Sequence, residues 1–272
     1  NNIKIYKLYY IMRSFIEILN DCGLEFDNKH IIIPENIKHI SIDVGTCFTA
    51  IHSENWLQHN SANDLYVFGF EPNPNCVKYL NSRNKDNLNI DLGFYDTDIT
   101  DIISKLSSKI QINKNFSIIP VALSNVTQPI EQDLYLPEGS IFCSSLLEPT
   151  TGGKLGSVSK KYAVPVFNLS ALFEVLSFDS IKYIDYLKID VQGCDINVLK
   201  GAGDYLRKYV VYITVEPETS QYKDAQENSS HNIISYLTNN GFKFIRHPNT
   251  CDPTFINLNF LDKQSIYIYQ KH

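Results

Sequence analysis

Hydrophobic positions change their period most clearly between Tyr186 and Gly201. Tyr186-Leu187-Lys188-Ile189-Asp190-Val191 first alternates and then runs apolar, as a buried strand does, while Ile196, Leu199 and, a turn later, Leu206 follow at the spacing of a helix face. The pattern predicts strand, tight turn and helix. Asp190 then falls at the carboxyl end of the strand, where open parallel sheets hold their ligands, and Gly193 frees the turn to take a positive φ. Asp190 acting only as a helix cap is the alternative.

Two more units of this kind lie upstream. Ile40-Ser41-Ile42-Asp43-Val44-Gly45 reads as the first central strand, closed by a glycine turn and followed by a helical or irregular segment through Trp56 and Leu57. A second strand starts at Tyr66 and ends in Glu71; Pro72 and Pro74 stop it, and Asn75 to Leu80 begin a helix. Ser117 to Asn125 reads as a third strand, either with an apolar end suited to a flat base or as a plain core strand. Ala163 to Phe167, Val210 to Glu218, Phe242 to Arg246 and Ser265 to Tyr269 complete the strands. Helices fall around Leu169 to Leu176 and Ile233 to Leu237, the latter closed by Asn239-Asn240-Gly241.

The remaining segments are less regular. Residues 3 to 22 carry an apolar stripe at Ile5, Leu8, Tyr9, Met12, Phe15, Ile16 and Leu19 that would cover an edge of the main domain. A membrane-surface helix is the rival, though the polar face is not consistently basic. Residues 31 to 38 read as a short strand and turn, and the polar residues 81 to 115 hold a short helix around Ile99 to Leu106. Residues 135 to 165, with Ser144-Ser145-Leu146-Leu147 and Thr150-Thr151-Gly152-Gly153-Lys154, read as a lid or acceptor-binding insertion, with simple disorder as the alternative. The polar stretch Asn249 to Asn257 connects the last two strands. If the final strand is antiparallel, this connection shares a sheet edge with Asp190 and Glu216; otherwise it is a surface loop with an Asx turn.

A strand ending in a glycine turn, followed by an acid at the end of the next strand, is how nucleoside-binding α/β domains hold a ribose. The glycine admits the ligand to the backbone, and the carboxylate accepts the ribose hydroxyls. The GxGxxG pattern is missing, so a bound pyrophosphate is not expected.

Composition narrows the classes. Hydrophobic content of 43% and charged content of 20% are ordinary for a globular domain, and the length suits one sizeable domain with a small N-terminal extension. A net charge of −6 argues against a broad basic surface for nucleic acid. Cys22, Cys47, Cys76, Cys143, Cys194 and Cys251 show neither a CxxC pair nor zinc-like spacing, so a reducing compartment, the cytoplasm, is the expectation. Sequons at Asn115, Asn125, Asn168 and Asn228 are what an Asn- and Ser-rich chain produces by chance. No apolar run of about 18 residues spans a membrane, and the charge-interrupted start lacks the features of a signal peptide. The first residue is Asn rather than Met, which suits a piece of a longer polypeptide.

Lys188-Ile189-Asp190-Val191-Gln192-Gly193 with Leu199-Lys200-Gly201-Ala202, together with Ile42-Asp43-Val44-Gly45 and Phe70-Glu71-Pro72-Asn73, resembles the FkbM-type S-adenosylmethionine-dependent methyltransferases over roughly residues 38 to 246. The resemblance implies an α/β class I (Rossmann-like) fold with a mostly parallel seven-stranded sheet and an antiparallel last strand. It implies an extension over residues 1–37 and a methyltransferase domain over 38–272, with the insertion at 135–165. In the cofactor site it puts Asp43, Gly45 and Thr46 at the methionine end of S-adenosylmethionine, Glu71 on the ribose, Asn73 near the adenosine, and Val121, Ala122 and Ser124 beside the adenine. Asp190 would sit between cofactor and acceptor. The acceptor class it implies is a hydroxyl of a sugar, glycan or small polyhydroxylated molecule.

The chain departs from the family pattern twice. Thr46-Cys47-Phe48-Thr49 stands where the family usually has a small Ala-Asn-x-Gly sequence, so the turn is more crowded. Asp190-Val191-Gln192-Gly193 stands for Asp-x-Glu-Gly, so no role for a second carboxylate carries over.

Methyl transfer to an alcohol needs alignment and a base. Asp190 and Glu216 are the catalytic candidates, with His52, His231 and His247 in reserve. Asp190, Glu216 and Asp252 have the oxygen ligands that suit Mg²⁺ or Mn²⁺, although a metal is not the leading expectation. The rival functions are a non-catalytic nucleoside- or glycan-binding module that keeps the fold, and an RNA ribose or cap methyltransferase, which would want a basic groove.

Overall fold

The runs Leu65–Phe70 and Val210–Val215 are buried at every position. A strand with no solvent face belongs inside a sheet covered on both sides. The computed structural model describes residues 13–60, 63–82, 110–112, 114–138, 140–245 and 252–262. The sequence expectations at residues 3–12, around Ile99 to Leu106, at His247 and at Ser265 to Tyr269 lie outside them.

Helix α1 (Phe15–Asp21) and a short hairpin, β1 (Phe26–Asp27) and β2 (His30–Ile31), lead into β3 (His39–Val44), α2 (Ile51–His59), β4 (Leu65–Phe70), α3 (Pro74–Ser82) and β5 (Phe116–Ile119). Next come β6 (Ala122–Leu123), β7 (Ile130–Pro137), β8 (Val158–Phe167), α4 (Ser170–Val175), β9 (Ile184–Ile189), α5 (Asp195–Ala202) and α6 (Tyr205–Tyr209). The chain continues through β10 (Val210–Val215), α7 (Ser230–Asn239), β11 (Phe242–Ile245) and β12 (Thr254–Asn257).

Seven strands form one sheet in the order β11-β12-β10-β9-β3-β4-β5. Neighbours are parallel except at β12, which is antiparallel to both β10 and β11. This is a Rossmann-like sheet, mostly parallel and seven-stranded as expected, and its strand order reverses between β3 and β9. Open α/β sheets bind ligands at such a switch point, beyond the carboxyl ends of the strands. Ile42, Leu187 and Ile213, side by side on β3, β9 and β10, have no exposed surface and form the middle of the core.

The main departure from the sequence reading is at its final strand pair. Thr254–Asn257 is a strand, where a polar connection was expected. Its polar side chains are paired in the interior: Thr254 Oγ1 lies 2.8 Å from Thr214 Oγ1, and Asn257 Nδ2 donates to the carbonyls of Leu206, Arg207 and Val210. Hydrogen bonds of this kind contribute about 1 kcal/mol each, and leaving the groups buried without them would cost more.

The expected third strand also divides. Phe116–Ile119 stays in the main sheet, and Pro120, which has no N–H to donate, ends the ladder. Ala122–Leu123 then joins a second sheet ordered β6-β8-β7.

Nor are residues 135 to 165 simply a loop. Strand β7 runs into their start and β8 begins at Val158, and the two pair antiparallel from Ile130 and Val166 to Pro137 and Val158. The stretch after β7 is held to the turn beyond β10: Thr150 N donates to Gln221 O at 2.9 Å and Lys223 N to Glu148 O at 2.8 Å. Leu206 belongs to α6 rather than continuing α5, because Gly203 (φ +56) breaks the helix.

At the N-terminal side, α1 carries a capping box between Ser14 and Glu17 and buries Phe15, Ile18 and Leu19. The Phe15 ring lies 5.1 Å from that of Phe167. Among the described residues, no helix is long and apolar enough to cross a membrane.

Candidate active site

Strand β3 ends at Val44, and Gly45 turns the chain with φ +85. A Cβ at this position would lie 1.8 Å from the carbonyl oxygen of Asp190, so only glycine fits. Asp190 N donates to Val44 O at 2.9 Å, and the tips of β3 and β9 therefore touch.

Glu71 follows β4 on the other side of the turn. One carboxylate oxygen accepts the Cys47 N–H at 2.8 Å, and the other accepts the Asn73 N–H at 2.7 Å. Burial pushes this carboxyl up to about 7 against the pull of those two donors, and the charges of Asp43 and Asp190 push the same way.

The tips of β3, β4 and β9 and the residues around β6 line an open cleft whose empty space, open solvent included, is about 580 Å³. Of the residues expected from the sequence, Gly45, Glu71, Val121, Ala122 and Asp190 line it. Val121, Ala122, Leu123 and Leu134 supply apolar surface to the same cleft.

Asp43, Thr46, Asn73, Ser124 and Glu216 are not among the lining residues. Asp43, expected at the cofactor's methionine end, is 1% exposed and accepts the Ser53 hydroxyl at 2.6 Å; burial raises its pKa. Thr46 Oγ1 donates to Asp43 O at 2.9 Å, which makes the hydroxyl a brace inside the turn. Asn73 is fully buried and caps α3 by accepting the Asn75 N–H, while its Nδ2 is a buried donor without a partner. Ser124 N donates to Phe167 O, and its carbonyl lies where a Cβ on Gly201 would come within 2.4 Å. It thus packs against α5 rather than the cleft.

A charged cluster stands behind Asp190. Lys188 is 2% exposed, and its Nζ lies 3.4 Å from Asp252 and 3.6 Å from Glu216. Burial pulls its pKa down, but Asp190, Asp252, Glu216 and Asp195 together outweigh that and hold it above the ordinary value. Burial, together with the nearby Asp190 charge, raises the Glu216 carboxyl to about 7. Asp195, fully buried, is also pushed to about 7 by burial and by Asp190, and it accepts hydrogen bonds from Asn228 Nδ2 and Glu216 N.

The oxygen set considered for a divalent ion is therefore organised differently. The Lys188 ammonium occupies the place between Glu216 and Asp252, and no cluster of three or more His, Cys, Asp or Glu side chains suited to a metal occurs among the described residues. The reserve histidines that are described also stand apart from the cleft: His52 lies on α2 with its ring 6.2 Å from that of Trp56, and His231 is exposed on α7.

Sequence reasoning assigned no role to several cleft residues. Cys47 and Cys76 flank Glu71. Phe142, with its ring 5.2 Å from that of Phe48, stands with Ser144 and Ser145 on the stretch after β7. Ser145 Oγ donates to Gln192 O at 2.7 Å, joining that stretch to the anchor turn. Lys188 and Gln192 did carry a signal: a lysine inside an apolar strand must find buried acids, and a side chain beside a turn glycine is well placed to reach the strand tip.

A family model described as a methyltransferase FkbM domain matches residues 43–244. Among solved structures, the chain is similar to the methyltransferase FkbM of Methylobacillus flagellatus KT, with 8% sequence identity and a TM-score of 0.43. The match covers 86% of this chain and 47% of the other, so the chain spans about half the length of that protein. No curated protein matches.

Proposed function

This chain belongs to the FkbM methyltransferase domain family, and from that premise we propose that it transfers a methyl group from S-adenosylmethionine to a hydroxyl oxygen of a sugar, glycan or small polyhydroxylated acceptor. The observation that carries the proposal is the convergence of Glu71, Gly45 and Asp190 on one cleft at the switch point of the sheet.

The residues present suit the cofactor. Glu71 still has lone pairs for ribose hydroxyls after accepting two backbone N–H groups. Val121, Ala122 and Leu134 offer a flat base an apolar surface. When bound, S-adenosylmethionine supplies an electrophilic methyl on a sulfonium sulfur.

The chain's own work is alignment and proton removal. With the cofactor held at the cleft, the acceptor hydroxyl would have to give up its proton, and in this reading Asp190 at the cleft wall would take it, backed by Glu216. Asp190 faces the cleft and Glu216 stands behind it, with its carboxyl near 7, close to the working pH that suits a general base. Lys188 balances the charge of the pair and of Asp252.

The crowded turn supports a second reading, a binding module without transfer. Phe48 is fully buried beneath Phe142 at the mouth, and Gln192 replaces a carboxylate. The two are separated by measuring S-adenosylhomocysteine binding by calorimetry together with transfer of labelled methyl to a pooled panel of glycans and polyols. Binding with transfer supports the methyltransferase. Binding without transfer supports the module, and no binding at millimolar ligand to a folded protein removes both.

A further inference from the structure

Gln192 adopts φ +55, a left-handed backbone that a residue with a side chain occupies only at a cost. Gly193 beside it is also left-handed, at φ +92, so glycine at 192 would satisfy the turn without strain. The side chain at 192 instead makes specific bonds. Its Nε2 donates to Asp190 Oδ1 at 2.7 Å, and its Oε1 lies 3.1 Å from the Tyr222 hydroxyl, whose single proton is shared between this oxygen and Cys143 O at 2.8 Å. This orientation of the amide is dictated by its partners, because a carboxylate has no proton to give and the phenol does. Tyr222 is itself 1% exposed and packed where a Cβ on Gly193 would come within 3.2 Å.

We propose that Gln192 is a positioning residue: held beside Tyr222, its amide fixes the rotation of the Asp190 carboxylate by engaging Oδ1, and so sets the field that Asp190 exerts on Glu216. This deepens the methyltransferase reading and rests on it for its catalytic meaning. Strain held at a site where the side chain is engaged is the pattern of a functional constraint. The amide also does without charge what a carboxylate at 192 could not, since a third acid against Asp190 would demand a proton or a cation.

The groups facing the Asp190 and Glu216 pair are Lys188 on β9, Asp195 at the start of α5, Asp252 before β12, Glu71 after β4, and Cys143 and Tyr222 from the two loops. None of them donates a hydrogen bond to Asp190 Oδ1 in place of Gln192. Losing the amide removes the hydrogen bond on Asp190 Oδ1, so Asp190 repels an ionised Glu216 more strongly and Glu216 holds its proton to a higher pH.

The test titrates the ligand-free protein by carbon-13 carboxyl NMR, with Glu216 assigned through Glu216→Gln. Gln192→Gly and Gln192→Leu are each expected to move the Glu216 midpoint upward by roughly half to one pH unit, and Gln192→Glu by more. Tyr222→Phe should move it in the same direction by less. Gln192→Gly, freed of the strained backbone, should melt at the same or a higher temperature, so a shifted midpoint cannot be ascribed to misfolding. An unchanged midpoint in both Gln192→Gly and Gln192→Leu would overturn the proposal. In methyl transfer the same variants should lower kcat, leave the KM for S-adenosylmethionine unchanged and displace the alkaline-rising limb of the pH profile by the NMR shift. A wild type with no transfer defeats the functional reading alone, because the titration still decides the role of Gln192.

Discussion

The backbone N–H of Cys47 donates to Glu71 Oε2 at 2.8 Å. The residue that crowds the glycine turn is thus also a ligand of the acid at the end of the next strand. Cys47 has φ +55, and the turn holds this conformation while Glu71 ties it to β4.

Glu71→Ala is expected to abolish the rise in melting temperature that S-adenosylhomocysteine gives the wild type by mass action. Glu71→Gln should unfold more easily by about 1–3 kcal/mol in urea, because an amide cannot accept from the Cys47 and Asn73 N–H groups at both ends. In the wild type, ribose hydroxyls would donate to the ionised carboxylate, whose proton leaves at about 7. Affinity should therefore rise as pH passes upward through 7, with proton release seen by calorimetry in buffers of different ionisation enthalpy.

Glu71, Asp195 and Glu216 each hold their protons to about 7 in the folded chain, well above their ordinary range near 4. The folded state then binds more protons than the unfolded state between about 4 and 7, so stability falls as pH rises through this window. The ligand-free protein is expected to melt at a lower temperature at pH 8 than at pH 5.5. Asp195→Asn, which has no proton to lose at this position, should flatten the slope. A melting temperature that climbs over the same interval would contradict these three carboxyl values.

Lys188→Met removes the cation that faces Glu216 at 3.6 Å and Asp252 at 3.4 Å. The acids left behind repel most when ionised, so the loss should be small at pH 5 and about 3 kcal/mol at pH 8. Chemical denaturation at the two pH values checks the difference. Equal losses would mean that the lysine serves packing rather than charge.

Gly45→Ala is expected to cost about 3 kcal/mol or more, since the new methyl must displace the Asp190 carbonyl and the backbone sits at φ +85. Gly152→Ala is a control with the same sign of φ, at +76, and no atom within 4 Å of its added Cβ. It should lose only the backbone share, about 1 kcal/mol.

Elements whose burial follows hydrophobic period were legible in the sequence. Ile40 to Val44, Tyr66 to Phe70, Tyr186 to Ile189 and Val210 to Val215 all read as strands because their interior neighbours are apolar on both faces. Thr254–Asn257 was not legible, because what buries it is hydrogen bonding among polar side chains, which has no period. Strand β7 hid its pairing for a related reason: Glu131, Gln132 and Asp133 keep its first half exposed or partly exposed. In the cleft, Gly45, Glu71 and Asp190 announced themselves as a turn glycine and strand-end acids. Phe142 and Ser145 reach the same cleft from a stretch far away in sequence, where Ser145 bridges back to Tyr135 on β7 and bonds to Gln192 O. Asp43 carried the same strand-end signal as Glu71 but turned to Ser53, a partner in α2 that no spacing along the chain discloses.

Because Gly45 bears directly on the Asp190 carbonyl, the floor of the hollow and the acid at its rim behave as one rigid part. Anything that seats on the glycine turn and shifts it by a fraction of an ångström moves Asp190 with it. Under the proposed methyl transfer, tightness toward the donor and reach toward the acceptor would then be geared together, and a lineage that retuned one would have to readjust the other in the same step.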